Sequence, residues 1–274
     1  MLLDFRRLNS LRYPRAARRH RTFLALSDMS RNSIITKAVV LAAGRGKRMR
    51  ELTDAIPKPM VEVRGRPVLA YIIEGLREAG IERVLLIVGY RKEVIIDYFG
   101  NGADFGIEID YLEQTTQDGT GRVVKLAKDF TSGSPFILSY GDILVDPSVY
   151  RTLTRLGEAE MLVTVRRMTD LTQGGAVYLN KAFEVVDLRE KQAPGETHTP
   201  WYNAGVYAFR SSIFYYISRL EKSPRGEYEL TDAIRAVAQA RWLVRAVEIA
   251  GRWADVRDPE ILAELNLRSA QEPT

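Results

Sequence analysis

Apolar positions along the chain alternate between short solid runs and helical spacing. Ala38–Leu41 is a solid run that ends at Gly44 and predicts a strand buried on both faces. Pro67 opens a predicted helix whose apolar positions, Leu69, Ile72, Ile73 and Leu76, recur at helical spacing, and Gly80 closes it. Val84–Val88 predicts a second buried strand, Glu93–Phe99 a short helix and Ile107–Tyr111 a third strand. A helix over Gly121–Phe130 leads to a fourth strand, Phe136–Ser139, followed by Tyr140-Gly141-Asp142, and Pro147–Leu156 reads as a further helix. This β-α-β-α-β order implies a parallel sheet with helices on both faces.

The second half changes character. Met161–Val165, Ala176–Leu179, Phe183–Leu188 and Trp201–Phe209 are strand-like and joined by turns, so they predict antiparallel pairing. Helices over Ser211–Leu220, Leu230–Ala240 and Pro259–Leu267 follow, with Val244–Ile249 as a strand between them. No internal repeat and no linker separates the halves. The expectation is one mixed α/β domain over 36–267, Rossmann-like with three α/β/α layers, whose second half closes a cleft over the first.

Composition narrows the chemistry. The 274 residues contain no cysteine and only two histidines, His20 and His198. That excludes disulfides, thiolate nucleophiles and multi-histidine zinc sites, so any metal would be a hard cation on oxygen ligands. No run of eighteen apolar residues occurs, so no membrane span is expected. The formal charge of +5 is uneven: residues 1–36 carry eight arginines against Asp4 and Asp28. The remainder, with 32 basic and 33 acidic residues, is nearly neutral. A nucleic-acid partner is therefore not expected. The segment 1–35 reads as a disordered basic extension or an over-long start rather than a transit peptide, and 268–274 as a tail.

Three features carry chemistry. Leu41-Ala42-Ala43-Gly44-Arg45-Gly46-Lys47-Arg48 follows the first strand, and its glycines let backbone N–H groups turn toward an anion. It is neither a dinucleotide fingerprint nor a Walker A loop, because the third glycine and the Gly-Lys-Ser/Thr ending are missing. Lys58 sits between Pro57 and Pro59, which fix its backbone. Asp142 ends a buried strand, the edge at which open α/β sheets bind ligands.

In order, L-A-A-G-x-G-x-R-M at 41–49, P-K-P-M at 57–60 and V-x-G-x-P at 63–67 resemble the sugar-1-phosphate nucleotidylyltransferases, or nucleotide-sugar pyrophosphorylases. The likeness is strongest to single-domain glucose-1-phosphate thymidylyl- and uridylyltransferases, helped by G-E-Y-E-L-T-D-A-I at 226–234. The resemblance implies a nucleotide-diphospho-sugar transferase fold and Mg²⁺-dependent transfer of a nucleotidyl group, from dTTP or UTP by preference, to a sugar 1-phosphate. It implies that Leu41, Ala42, Ala43, Gly44 and Gly46 hold the nucleotide and that Arg48 and Lys58 are catalytic. Arg48 would grip the triphosphate, and Lys58 the phosphate under attack. Gln114, Gly119 and Thr120 would read the base, with Thr120 also read as a helix N-cap. Asp142 and Asp255 would hold the metal, and Gly175, Glu190, Lys191 and Asn203 the sugar phosphate. Glu190 and Lys191 can share a cleft only if their strand ends or bulges there. Arg122 and Arg257 stand where relatives place small residues. Trp201, Tyr202 and Tyr207 read as packing. A cytoplasmic location is expected, a homo-oligomer is left open, and two alternatives stand: a non-catalytic nucleotide-sugar-binding regulator, and an acceptor such as phosphocholine.

Overall fold

The computed structural model describes residues 34–191, 195 and 198–267. The expected basic extension, up to Ser33, and the tail 268–274 lie outside the described residues. Ile35 is buried and its N–H donates to the Thr154 carbonyl at 2.9 Å, so the fold is under way before residue 36.

The elements follow the expected alternation. In chain order they are β1 (Lys37–Ala42), β2 (Glu62–Val63), β3 (Arg66–Pro67), α1 (Val68–Glu78), β4 (Arg83–Val88), α2 (Lys92–Phe99) and β5 (Glu108–Glu113). Then come α3 (Thr120–Lys125), α4 (Lys128–Thr131), β6 (Phe136–Tyr140), β7 (Ile143–Val145), α5 (Pro147–Leu153), β8 (Met161–Arg167), β9 (Gly175–Leu179) and β10 (Val185–Glu190). The series closes with β11 (Trp201–Phe209), α6 (Ile213–Ile217), α7 (Leu230–Gln239), β12 (Val244–Glu248), β13 (Trp253–Asp255) and α8 (Pro259–Leu267).

One sheet runs through the molecule in the order β5-β4-β1-β6-β11-β8-β12. β1 pairs in parallel with both β4 and β6, β4 with β5, and β8 with β12, while β11 runs antiparallel to both neighbours. The β9–β10 hairpin adds to the start of β11. The two halves thus share one sheet. Alternation along β1 divides the core: Ala38, Val40 and Ala42 join a cluster with α1, α2 and α5. Val39 joins another with α3, α6 and α7. This is the three-layer arrangement. Ala42 consequently points into the core, so it can offer a nucleotide only its backbone.

Two expected elements differ. The single helix over 121–130 is two short ones, because Leu126 and Ala127 bond back three residues rather than four and tighten the turn. Thr120 is not the N-cap. Gly119 holds that position and Thr120 is the first helical residue, its Oγ1 accepting the Leu230 N–H at 3.2 Å. Among the described residues, no helix is long and apolar enough to cross a membrane.

Candidate active site

From β1 the chain moves outward to β4 and β5, then returns to the other side of β1 as β6. That reversal leaves a crevice past the carboxyl ends of β1 and β6, which is where ligands enter open α/β sheets. A cavity of about 680 Å³ lies there. Leu41, Ala43, Gly44, Arg48, Lys58, Gln114, Gly119, Thr120 and Asp142 all line it, nine residues drawn from five separate stretches of sequence.

Local structure explains the placement. After β1 the chain turns through Gly46 at φ 71°, where a Cβ would come within 2.7 Å of the Lys58 Cβ. Only glycine tolerates both the left-handed backbone and that approach. Lys58 itself is set in a short turn in which Met60 N–H donates to the Pro57 carbonyl at 2.8 Å. Its side chain is 11% exposed, so its ammonium is committed to the protein interior.

Two carboxylates meet that ammonium. Lys58 Nζ donates to Asp142 and lies 4.0 Å from Asp255 Oδ1. Asp142 follows β6 directly. Asp255 ends β13, which pairs with β7 so that Asp255 sits opposite Ile143, and the Val256 N–H donates to the Asp142 carbonyl at 2.9 Å. A two-stranded antiparallel ladder therefore joins acids 113 positions apart in the chain. The capping role is taken by Asp258, whose Oδ1 accepts the Ile261 N–H, so Asp255 is free of it. Burial, and then the facing Asp142, push the Asp255 carboxyl up to about 6, against the opposing pull of Lys58, Arg257 and Arg48. The Arg257 guanidinium lies 3.8 Å from Asp255, which explains how a bulky residue is accommodated there.

The donor set fits a hard divalent cation. Two carboxylates that repel one another, with a lysine ammonium between them, are a ready oxygen site. Among the described residues no third acid or histidine joins them, so water or substrate oxygens would complete the coordination.

Gln114 follows β5. Its backbone N–H donates to the Val88 carbonyl at 2.7 Å and its Nε2 to the Thr116 carbonyl at 2.8 Å. The 223–229 loop braces this end: Tyr228 N–H donates to the Asp118 carbonyl and Gly121 N–H to the Tyr228 carbonyl, both at 2.8 Å. Gly119, at φ 112°, has Tyr228 backbone atoms 2.5 Å from where a Cβ would lie. Arg122 is not a cavity wall. It pairs with Asp118 at 2.8 Å and stacks on the Tyr228 ring at 4.6 Å.

The expected sugar-side residues lie outside these walls. Gly175, Glu190 and Asn203 do come together: a Cβ on Gly175 would meet Asn203 Cβ at 3.1 Å and Glu190 Oε2 at 3.3 Å. Burial, and then the nearby Glu229 carboxylate, hold the Glu190 carboxyl above its ordinary value. The strand ends at Glu190, and Lys191 is exposed with its backbone in the left-handed region at φ 41°, its N–H donating to the Gly174 carbonyl. Both subsites are linked through buried side chains. Asn203 Nδ2 donates to the Tyr207 hydroxyl at 2.8 Å, Tyr207 hydrogen-bonds Tyr140, and Tyr140 hydrogen-bonds Thr120.

Lys47, Gln117, Tyr140 and Glu227 also line the cavity and were not among the expected site residues. Lys47 and Tyr140 adjoin motif residues, so adjacency is a usable signal for them. Glu227 belongs to the G-E-Y-E-L-T-D-A-I stretch, but nothing in its local sequence says that it faces a strand end more than 80 residues earlier.

Comparison with known proteins settles the family. A model of the nucleotidyl transferase family matches residues 37–272. The chain belongs to the nucleotidyl transferase family. Among its relatives, the bifunctional protein GlmU of Methanocaldococcus jannaschii is 36% identical over 229 residues, 84% of this chain and 53% of that relative. A low-salt glycan biosynthesis nucleotidyltransferase of Haloferax volcanii is 33% identical over 84% of this chain and 65% of its own length. A glucose-1-phosphate thymidylyltransferase of Streptomyces griseus is 32% identical over the same shares. The chain thus spans about half to two thirds of the length of these curated relatives. A UDP-glucose pyrophosphorylase solved with UDP-glucose shares this nucleotidyl transferase fold at a TM-score of 0.79 and 23% identity, covering 88% of this chain and all of the other.

Proposed function

We propose that this chain transfers a nucleotidyl group from a nucleoside triphosphate to a sugar 1-phosphate, giving a nucleotide-sugar and pyrophosphate. The observation that carries the reading is the convergence of Asp142 and Asp255 on Lys58, with Lys58 and Asp142 lining a cavity that Arg48 and Lys47 also line. The acceptor oxygen attacks the α-phosphorus, the bond to the bridging oxygen breaks, and pyrophosphate carries away the electron pair. All partners are anions, so positioning and charge supply the catalysis.

The chain's own groups divide that work. Backbone N–H groups of the 43–48 loop face the triphosphate. Arg48, assisted by Lys47, holds the β- and γ-phosphates and then the departing pyrophosphate. Lys58 orients the α-phosphate and bears on the negative charge that builds there. Asp142 and Asp255 would hold Mg²⁺, which when bound supplies further neutralisation of the phosphates. Gln114, with one N–H committed to Thr116, still has its carbonyl oxygen as an acceptor and one N–H as a donor. A uracil or thymine edge, with its N3–H beside a carbonyl, matches that pair, which accords with UTP and dTTP, the donors the family resemblance favours. Gly175, Glu190 and Asn203 would hold the sugar, and Lys191 would neutralise its phosphate.

A panel of triphosphates against sugar 1-phosphates and phosphocholine, read by pyrophosphate release, tests the proposal. Release with UTP or dTTP and a sugar 1-phosphate is expected. Release with phosphocholine alone would replace the sugar acceptor, and binding of nucleotide-sugar without turnover would make the chain a regulator.

A further inference from the structure

Strand β11 contains a deliberate irregularity. Asn203 lies opposite Val165 and Tyr207 opposite Val163, so four steps on β11 are matched by two on β8. At the centre Gly205 has φ 81°, and a Cβ there would stand 3.0 Å from Ile143 and Tyr140 side-chain atoms. Side chains meet three of the displaced backbone groups. Thr164 Oγ1 donates to the Val206 carbonyl at 2.6 Å and accepts the Val206 N–H at 3.2 Å, and Trp253 Nε1 donates to the Ala204 carbonyl at 2.9 Å. Bulges of this kind re-aim side chains beside active sites.

The side chain re-aimed is Asn203. In an unbroken strand, residues four apart are about 13 Å from one another. Here Asn203 Nδ2 reaches the Tyr207 hydroxyl at 2.8 Å. Having accepted that hydrogen bond, Tyr207 is free to donate onward to Tyr140, which also hydrogen-bonds Thr120. Asn203 Oδ1 is buried and has no hydrogen-bond partner among the described residues, and the Asn203 Cβ and Glu190 Oε2 both border Gly175. A buried carbonyl oxygen left open in an otherwise satisfied network calls for a ligand donor.

We propose that Tyr207 is a positioning residue that fixes the face of the Asn203 amide. With Nδ2 committed to Tyr207, Oδ1 is what the sugar meets. Together with the Glu190 carboxylate it makes an acceptor-rich subsite, which selects sugar 1-phosphates presenting hydroxyl or acetamido N–H donors on that edge. This inference rests on the reading of Asn203 as a sugar contact.

The test compares Asn203→Ala, Tyr207→Phe and the double variant by steady-state pyrophosphate release, with thermal melting as the check on folding. Asn203→Ala should raise KM for the sugar 1-phosphate about tenfold, and if it leaves that KM unchanged the sugar-site reading itself fails. Given that rise, Tyr207→Phe should also raise the sugar KM several-fold, hold the triphosphate KM within twofold, and add nothing in the Asn203→Ala background. An unchanged sugar KM, an equal rise in both KM values, or a fully additive double variant would overturn the role of Tyr207. Should Tyr207→Phe not fold, deoxy and deoxyfluoro sugar 1-phosphates on the wild-type protein decide the direction of the bond. Fluorine accepts but cannot donate, so at the position Asn203 reads both analogues should lose equally. A fluoro analogue that binds like the parent sugar would contradict the inference.

Discussion

Replacing Lys58 with alanine removes the ammonium that faces both Asp142 and Asp255. The charges are close: Lys58 Nζ is hydrogen-bonded to Asp142 and 4.0 Å from Asp255. At an effective dielectric of about 20, a unit pair at that distance interacts by about 4 kcal/mol. Breaking a buried pair by deleting one partner destabilises a protein by roughly 3–5 kcal/mol, because the charge left behind keeps its desolvation cost. In the metal-free protein Lys58→Ala should therefore lower the denaturation midpoint clearly, and millimolar Mg²⁺ should restore much of the loss by neutralising the same carboxylates. Catalysis should not recover with it. Deleting a charge aimed at a developing anion costs about 10²–10³ in kcat. Melting in EDTA and in Mg²⁺, alongside initial rates of pyrophosphate release, separates the two effects. A folded variant turning over within threefold of wild type would refute the role given to Lys58.

Asp255→Asn should abolish turnover yet stabilise the metal-free protein. The native carboxyl titrates near 6 rather than at its ordinary 3.8, so holding it ionised in the fold costs on the order of 3 kcal/mol. The gain should be full above about pH 6, shrink as pH falls, and vanish below about pH 4, where folded and unfolded chains are both protonated. Chemical denaturation in EDTA at pH 7.5 and 4 checks the sign. Gly46→Ala forces a Cβ against Lys58 and should lower kcat ten- to a hundredfold. Gly65→Ala is its control, since φ is 73° and nothing lies within 4 Å; it should cost about 1–2 kcal/mol of stability and leave kcat intact. Gly119→Ala should raise the triphosphate KM about tenfold, measured in the same rate assay, by pushing Tyr228 off the 118–121 loop.

The layers were legible because they are local. The solid run at 38–41 and the spacing of Leu69, Ile72, Ile73 and Leu76 specify a buried strand and an amphipathic helix, and all four of those helix residues are buried in the core. One wall of the cavity was legible for a similar reason, since Gly44, Arg48 and Lys58 lie in one short stretch. What was hidden depends on pairings between distant segments. That Asp142 and Asp255 meet was implied by the resemblance but by no local pattern, since it is decided by the register of β7 on β13. Glu227 reaches the cavity because the 223–229 loop hydrogen-bonds the 118–121 loop, and neither loop signals the other in sequence. Tyr207 read as core, and it is fully buried; its bond to Asn203 exists only because of an irregularity at Gly205. Thr120 resembled a cap because its neighbours fit that pattern, but the tertiary partner Leu230 claims its hydroxyl.

Phosphorus-31 NMR of one mixture containing the protein, UTP or dTTP, glucose 1-phosphate and Mg²⁺ tests the proposed chemistry most directly. The account predicts that nucleotide-sugar and pyrophosphate resonances grow in equal amounts, and that neither grows when the sugar phosphate or the divalent ion is left out. Triphosphate resonances that broaden on binding yet persist unchanged in the complete mixture would contradict it.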